Sequence, residues 1–345
     1  MKAFIIILGI IVGLIIGIYG GIKPKKLWYQ LFTITLVSIN IAATILPPIA
    51  GNLTDIYFLH QIGKDKPINV LLNLKNFTKN FDENTGYWVL KDKISKKTVT
   101  IMSEELPDEF NNAKEVVILG KYDLNLNSTI YLDTRYIDPI MTLPYIPDLE
   151  ERSKILNFHV PMSWVGVLAY LISMIYSIQY LKKRNYIDDV KASASAYLGV
   201  IFTILATVTG MLWAKFNWGS FWNWDPRETS IFILLLIYFA YFTLRASIDN
   251  KELRARLSSI YSIIAFITVP FLVFVLPRML SGLHPGSADD TSSGPVLSAG
   301  SESLNFYKQI TFSIALCSFT LLFFWLNNIF IRYKLLRDKY DGISY

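Results

Sequence analysis

Apolar residues run along this chain in seven blocks long enough to cross about 30 Å of hydrocarbon. They lie near residues 3–22, 28–49, 160–181, 193–214, 229–245, 257–280 and 306–331, and each predicts a membrane-spanning helix. Between the second and third blocks the pattern changes. Residues 50–157 are polar, rich in Asn, Asp and Lys, with short alternating runs at 98–102, 116–120 and 128–132, the period-two signature of half-buried strands. The chain therefore reads as two N-terminal spans (1–49), a mostly β extracytoplasmic domain (50–157) and a five-helix core (158–345). The predicted fold class is an all-α polytopic membrane protein with about seven transmembrane helices and a small, mostly β extracytoplasmic insertion.

Composition agrees with a bilayer as second solvent: 52% of the 345 residues are hydrophobic, far more than one soluble core needs. The net charge of +6 reports topology rather than nucleic-acid binding, because basic residues mark cytoplasmic loops. Of the 33 lysines and arginines, 15 crowd the linkers 23–27, 182–192 and 246–256, their edges and the C-terminal tail. The opposite short segments hold only Lys2, Lys215, Arg227, Arg278 and Lys308. The first block has no small-x-small cleavage site and is followed by Lys23, Lys25 and Lys26, so it reads as a retained span. The N-terminus is then outside and the C-terminus cytoplasmic. Cys317, the single cysteine, sits in an apolar run, which excludes an intrachain disulfide and covalent haem attachment through Cys-x-x-Cys-His. There is no phosphate-binding loop and no carboxylate–histidine spacing of a zinc or calcium site. Residues 287–303 read as a surface loop, and the runs VVILGKY (116–122) and TIYL (129–132) resemble the last strands of an OB-type barrel.

Candidate chemistry collects on the predicted outer face. Trp213, Trp218, Trp222 and Trp224 place four of eight tryptophans within twelve residues. One reading is an aromatic belt at the headgroups; the other, favoured by their concentration around Gly219, is a flat platform for a planar ligand. Asp225, Pro226 and Glu228 then read as N-cap, first-turn proline and capping-box partner of a helix. Arg227 gains nothing from capping. It suits either a ligand carboxylate or an ion pair with Glu228 or a lipid phosphate. His159 opens the third block with Pro161 expected in the first turn, and His284 follows the sixth. Two imidazoles flanking a loop of indoles are the parts of a six-coordinate haem site, whereas His60, in the polar domain, reads as surface.

These segments resemble the CcmC-like branch of the tryptophan-motif haem-handling proteins, a superfamily that includes CcmF and CcsA. The resemblance rests on FHVPMSW (158–164), WGSFWNWDPRETS (218–230) and SGLHPG (281–286), in family order. It implies that the membrane is a bacterial inner membrane, and non-covalent haem b with His159 and His284 as axial ligands. Trp218, Gly219, Trp222, Trp224 and Asp225 would form the presenting loop. Arg227 and Arg278, both on the predicted outer face, complete the candidate haem-binding set as partners for a ligand carboxylate. It also implies hand-over to a periplasmic haem chaperone of the CcmE kind, with an ABC-type transporter (CcmA- and CcmB-like subunits) and a small CcmD-like membrane adaptor. On this reading the chain transfers haem and is not an enzyme. The DPRET wording leans instead toward a CcsA- or CcmF-type lyase, which attaches haem to apocytochrome c. A quinol-oxidising b-type cytochrome is disfavoured because no histidine lies at mid-span depth. The first span and residues 50–157 have no counterpart in the compact family pattern.

Overall fold

A computed structural model describes residues 2–22, 27–145, 150–284, 286–289 and 306–340. Lys23, Lys25, Lys26, Pro285 and residues 290–303 of the predicted surface loop lie outside the described residues. The chain divides into two compact units, Met1–Ile41 with Lys154–Tyr345, and Ala42–Ser153.

The first unit is helical. Helices α1 (Lys2–Ile22) and α2 (Leu27–Ile45) lead in sequence, and two short helices of the second unit, α3 (Leu53–Gln61) and α4 (Glu109–Asn112), follow. The core is α5 (Leu156–Lys183), α6 (Tyr186–Trp218, 33 residues), α7 (Pro226–Ser247), α8 (Lys251–Pro270) and α10 (Phe306–Tyr340). A π-helical turn, Phe271–Val275, and the short α9 (Leu276–Met279) extend α8 beyond Pro270. Pro270 cannot continue an ordinary helical ladder, and such a bulge is a usual answer.

Among the described residues, six helices are long and apolar enough to cross a membrane, against about seven predicted spans. The difference is α1, whose apolar stretch Phe4–Gly20 is shorter and rises only about 26 Å at 1.5 Å per residue. Gly9, Gly13 and Gly17 let it approach α10 closely. A Cβ at these positions would lie 2.3 Å from Ser313, 3.1 Å from Thr320 and 2.2 Å from Phe324 respectively.

At the opposite end from the tryptophan loop, Asp189 in the first turn of α6 receives both guanidinium nitrogens of Arg245, from the last turn of α7, at 2.7 and 2.8 Å. Each charge complements its own helix dipole, and the Asp189 side chain is 3% exposed. Removing one partner leaves the other charge buried and alone. Asp189→Asn is therefore expected to destabilise the bundle by about 3–5 kcal/mol, and a second change, Arg245→Met, to recover most of that loss in an unfolding titration.

The second unit is a six-stranded sheet in the order β2-β6-β7-β5-β4-β3. Its strands are β2 (Ile68–Asn73), β3 (Phe77–Asp82), β4 (Tyr87–Asp92), β5 (Thr98–Ile101), β6 (Glu115–Asp123) and β7 (Ser128–Ile137). A separate pair joins β1 (Ile49–Ala50) to β8 (Leu143–Pro144). All three predicted strand runs are strands. The two ends of the six-stranded sheet, β2 and β3, are one stretch of chain broken by the 3-10 turn Leu74–Asn76. The β3-β4-β5 meander meets β7 in parallel, and β7 returns through β6 to β2. This is the connectivity of a partly open OB-type barrel, packed around Val70, Leu72, Leu90, Val99, Phe110 and Ile118.

Candidate functional site

The candidate site is built where α5, α6 and α7 meet the loop after α9. Helix α6 ends at Trp218, and Gly219 takes the left-handed conformation (φ +82°) that closes it, its N–H on the Lys215 carbonyl at 3.1 Å. Gly219 is thus a helix terminator, a role the sequence reading did not give it. Trp218 belongs to the helix rather than the loop, and its ring stands edge-on to the His284 imidazole, centroids 4.6 Å apart. Trp222 and Trp224 are perpendicular to each other (5.8 Å, 89°), so the indoles do not form one flat platform. Trp224 is 71% exposed and has φ +55°, a conformation costing a non-glycine residue on the order of 1–3 kcal/mol.

Asp225 caps α7 as the sequence predicts. Its Oδ1 accepts the Arg227 N–H at 2.9 Å, while Glu228 Oε2 returns to the Asp225 N–H. It also does more. The same Oδ1 lies 2.7 Å from His284 Nδ1, and Oδ2 accepts the Leu283 N–H at 2.7 Å. Burial alone would raise this carboxyl. The hydrogen bond and charge of His284, with the two backbone N–H groups, overcome that and pull it down to about 2. Asp225 is therefore an ionised, acceptor-only group, so His284 Nδ1 carries a hydrogen and Nε2 is the ring nitrogen left to meet a ligand. A Cβ at Gly282 would sit 2.7 Å from Asp225 Oδ2, so a glycine there keeps the loop within reach.

His159 reaches the same state by another route. It lies in the first turns of α5, which begins at Leu156, a turn earlier than predicted, so Pro161 is inside the helix rather than in its first turn. The His159 Nδ1 is 2.9 Å from the Ala206 carbonyl of α6 and 3.3 Å from Thr209 Oγ1. A carbonyl can only accept, so Nδ1 again holds the hydrogen and Nε2 is left as the basic nitrogen. The ring rests against Gly210, where a Cβ would come within 2.9 Å of His159 Cε1. No hydrogen bond to Nε2 of His159 or His284 is present among the described residues.

His284 and Arg227 both lie within electrostatic reach of His159, and Arg278 within reach of Arg227. Arg278 donates to the Phe274 carbonyl at 2.5 Å and is otherwise open to solvent. The predicted residues His159, His284, Trp218, Asp225 and Arg227 are thus brought into one neighbourhood. Trp222 packs edge-on against Phe232 of α7 and Trp224 points outward. Sequence reasoning missed Gly210, Ala206, Gly282 and Leu283. Gly210 carried a signal as a glycine inside a long apolar helix, and Gly282 and Leu283 lie in the SGLHPG run (281–286) without a role of their own being read there.

The residues present suit an iron porphyrin: two imidazoles with free Nε2, an indole beside one of them, and two guanidiniums for carboxylates. A family model for heme exporter protein C matches residues 136–342. Among curated proteins, heme exporter protein C of Bradyrhizobium diazoefficiens is 32% identical over 191 residues, 55% of this chain and 70% of that protein. That of Paracoccus denitrificans is 29% identical over 146 residues, 42% of this chain and 61% of its own length. For Escherichia coli K12 the figures are 29% over 134 residues, 39% and 54%. Between 54% and 70% of these relatives is therefore spanned, and residues 1–135 fall outside the family match.

Proposed function

Because the chain belongs to the heme exporter protein C family, we propose that it holds haem at the outer face of the cytoplasmic membrane for cytochrome c maturation. It gives that haem to a periplasmic chaperone of the CcmE kind, in company with ABC-type transporter subunits and a small membrane adaptor. His159 and His284 are the axial ligands through Nε2, and Arg227 and Arg278 take the propionates. The observation that carries this reading is the matched state of the two imidazoles, each with Nδ1 committed to an acceptor and Nε2 left basic.

The two histidines are held differently. Asp225 makes His284 the more electron-rich ligand, since a carboxylate accepting from the distal nitrogen raises the basicity of the other. A neutral carbonyl does less for His159. The His159 side is accordingly the weaker bond, the one that opens when haem leaves. No bond formation is asked of the protein, so it acts as a transfer protein and not an enzyme.

The test is an optical and pyridine-haemochrome comparison of wild type with His159→Ala and His284→Ala. Wild type is expected to show a six-coordinate, low-spin haem. Each variant is expected to lose it, with His284→Ala the more severe. Unchanged haem content and spectrum in both variants would overturn the assignment.

A further inference from the structure

The remaining histidine has the same preparation as the other two. Helix α3 is fixed by a capping box between Asn52 and Asp55, and it buries Leu53, Ile56 and Leu59 against the sheet. Tyr57 and His60, three residues apart, share another face. His60 Nδ1 is 2.6 Å from Asp65 Oδ1, a carboxylate 48% exposed. Nε2 is the ring nitrogen left without a partner among the described residues, and the side chain remains 24% exposed.

Its surroundings are aromatic and basic. The His60 ring lies over Tyr122 of β6, centroids 4.4 Å apart and tilted by 31°. Tyr57 meets Tyr122 edge-on at 4.6 Å. Asn127 ties both phenols, accepting from Tyr122 through its side chain at 2.6 Å and from Tyr57 through its carbonyl at 3.2 Å. Lys97 Nζ stands 3.3 Å above the Tyr57 ring. The β6–β7 loop that supplies Asn127 also presents Leu124, 70% exposed, and Leu126.

We propose that the β domain carries its own iron-porphyrin site, with His60 Nε2 as the axial ligand, Tyr57 and Tyr122 as the aromatic flank and Lys97 as the partner of a porphyrin carboxylate. The juxtaposition of a carboxylate-oriented imidazole, two anchored phenols, a lysine and exposed leucines meets the needs of a planar apolar ring with acidic edges. A His–Asp pair that merely pinned the turn after α3 would use Nδ1 alone, and would need neither the packed phenol rings nor the exposed leucines. The proposal rests on the haem-handling reading, since it takes the ligand class from it. It makes the β domain a second station for the same cargo.

The test uses the full-length purified protein titrated with haemin. In the His159→Ala, His284→Ala background a single-histidine, five-coordinate haem is expected to remain. Adding His60→Ala is expected to weaken it at least about tenfold, and imidazole in solution to restore it by filling the vacated position. In the otherwise wild-type chain, His60→Ala lowers uptake from about two haemins to about one. Identical uptake by the double and triple variants, or no rescue by imidazole, overturns the second site. Loss of the membrane site shows separately, as wild type and the double variant behaving alike while His60→Ala still reduces binding.

Discussion

Asp225→Asn is expected to leave helicity and thermal stability close to wild type while lowering haem affinity about 10- to 100-fold. Asparagine is as good an N-cap as aspartate, so α7 still starts where it does. The carboxylate, however, accepts on both oxygens, from Arg227 N and His284 Nδ1 on Oδ1 and from Leu283 N on Oδ2. An amide has one acceptor and one donor end. With its oxygen toward His284, its NH2 group faces the Leu283 N–H; reversed, it faces the imidazole N–H. In either orientation His284 loses an anionic partner and the loop loses a bond. Haemin titration beside a circular-dichroism melt measures both properties. An affinity within about twofold of wild type would mean that Asp225 serves the helix alone.

Gly210→Ala is expected to leave the fold close to wild type in stability, yet to lower haem affinity about tenfold or more and shift the spectrum toward high spin. Inside a helix, alanine is favoured over glycine by roughly 0.5–1 kcal/mol. Here the added methyl would stand 2.9 Å from Cε1 and 3.4 Å from Nδ1 of His159. The ring is fastened one helical turn earlier, to the Ala206 carbonyl. It cannot retreat without giving up that bond and its tautomer. The helix gain offsets the displaced ring, so ligand binding falls while stability holds, a result that general damage to the protein would not produce. Unchanged binding with raised stability would show that His159 does not need Gly210.

The helices were legible because hydropathy is a local signal, and so was the cap at Asp225, whose parts lie within three residues. The second use of Asp225 was not, because its partner lies 59 positions away and no periodicity encodes that meeting. Pro161 misled in a different way: it invites a helix start, but α5 begins at Leu156 and tolerates the missing N–H. The repeat of Gly9, Gly13 and Gly17 was visible as small residues every fourth position, yet only the contact with α10 gives it meaning. In the β domain, alternation gave β5, β6 and β7 and left β2, β3 and β4 unread. The break at Leu74–Asn76, which lets one stretch of chain form both ends of the sheet, follows from closure and not from any residue type there. His60 read as surface, since its value depends on Tyr122 and Asp65 being folded onto it.

The length of α6 has a consequence for where haem changes hands. Its 33 residues make a rod of about 50 Å, and even a tilt of about 40° leaves about 38 Å along the membrane normal against roughly 30 Å of hydrocarbon. Its uncharged part runs between Lys191 and Lys215, so Trp218 and the loop it launches stand above the oily layer. The ledge is wet. On the proposed function, a carrier would then reach the porphyrin edge without entering lipid, and the rate of hand-over is expected to follow the carrier's concentration at that ledge and be indifferent to bilayer thickness.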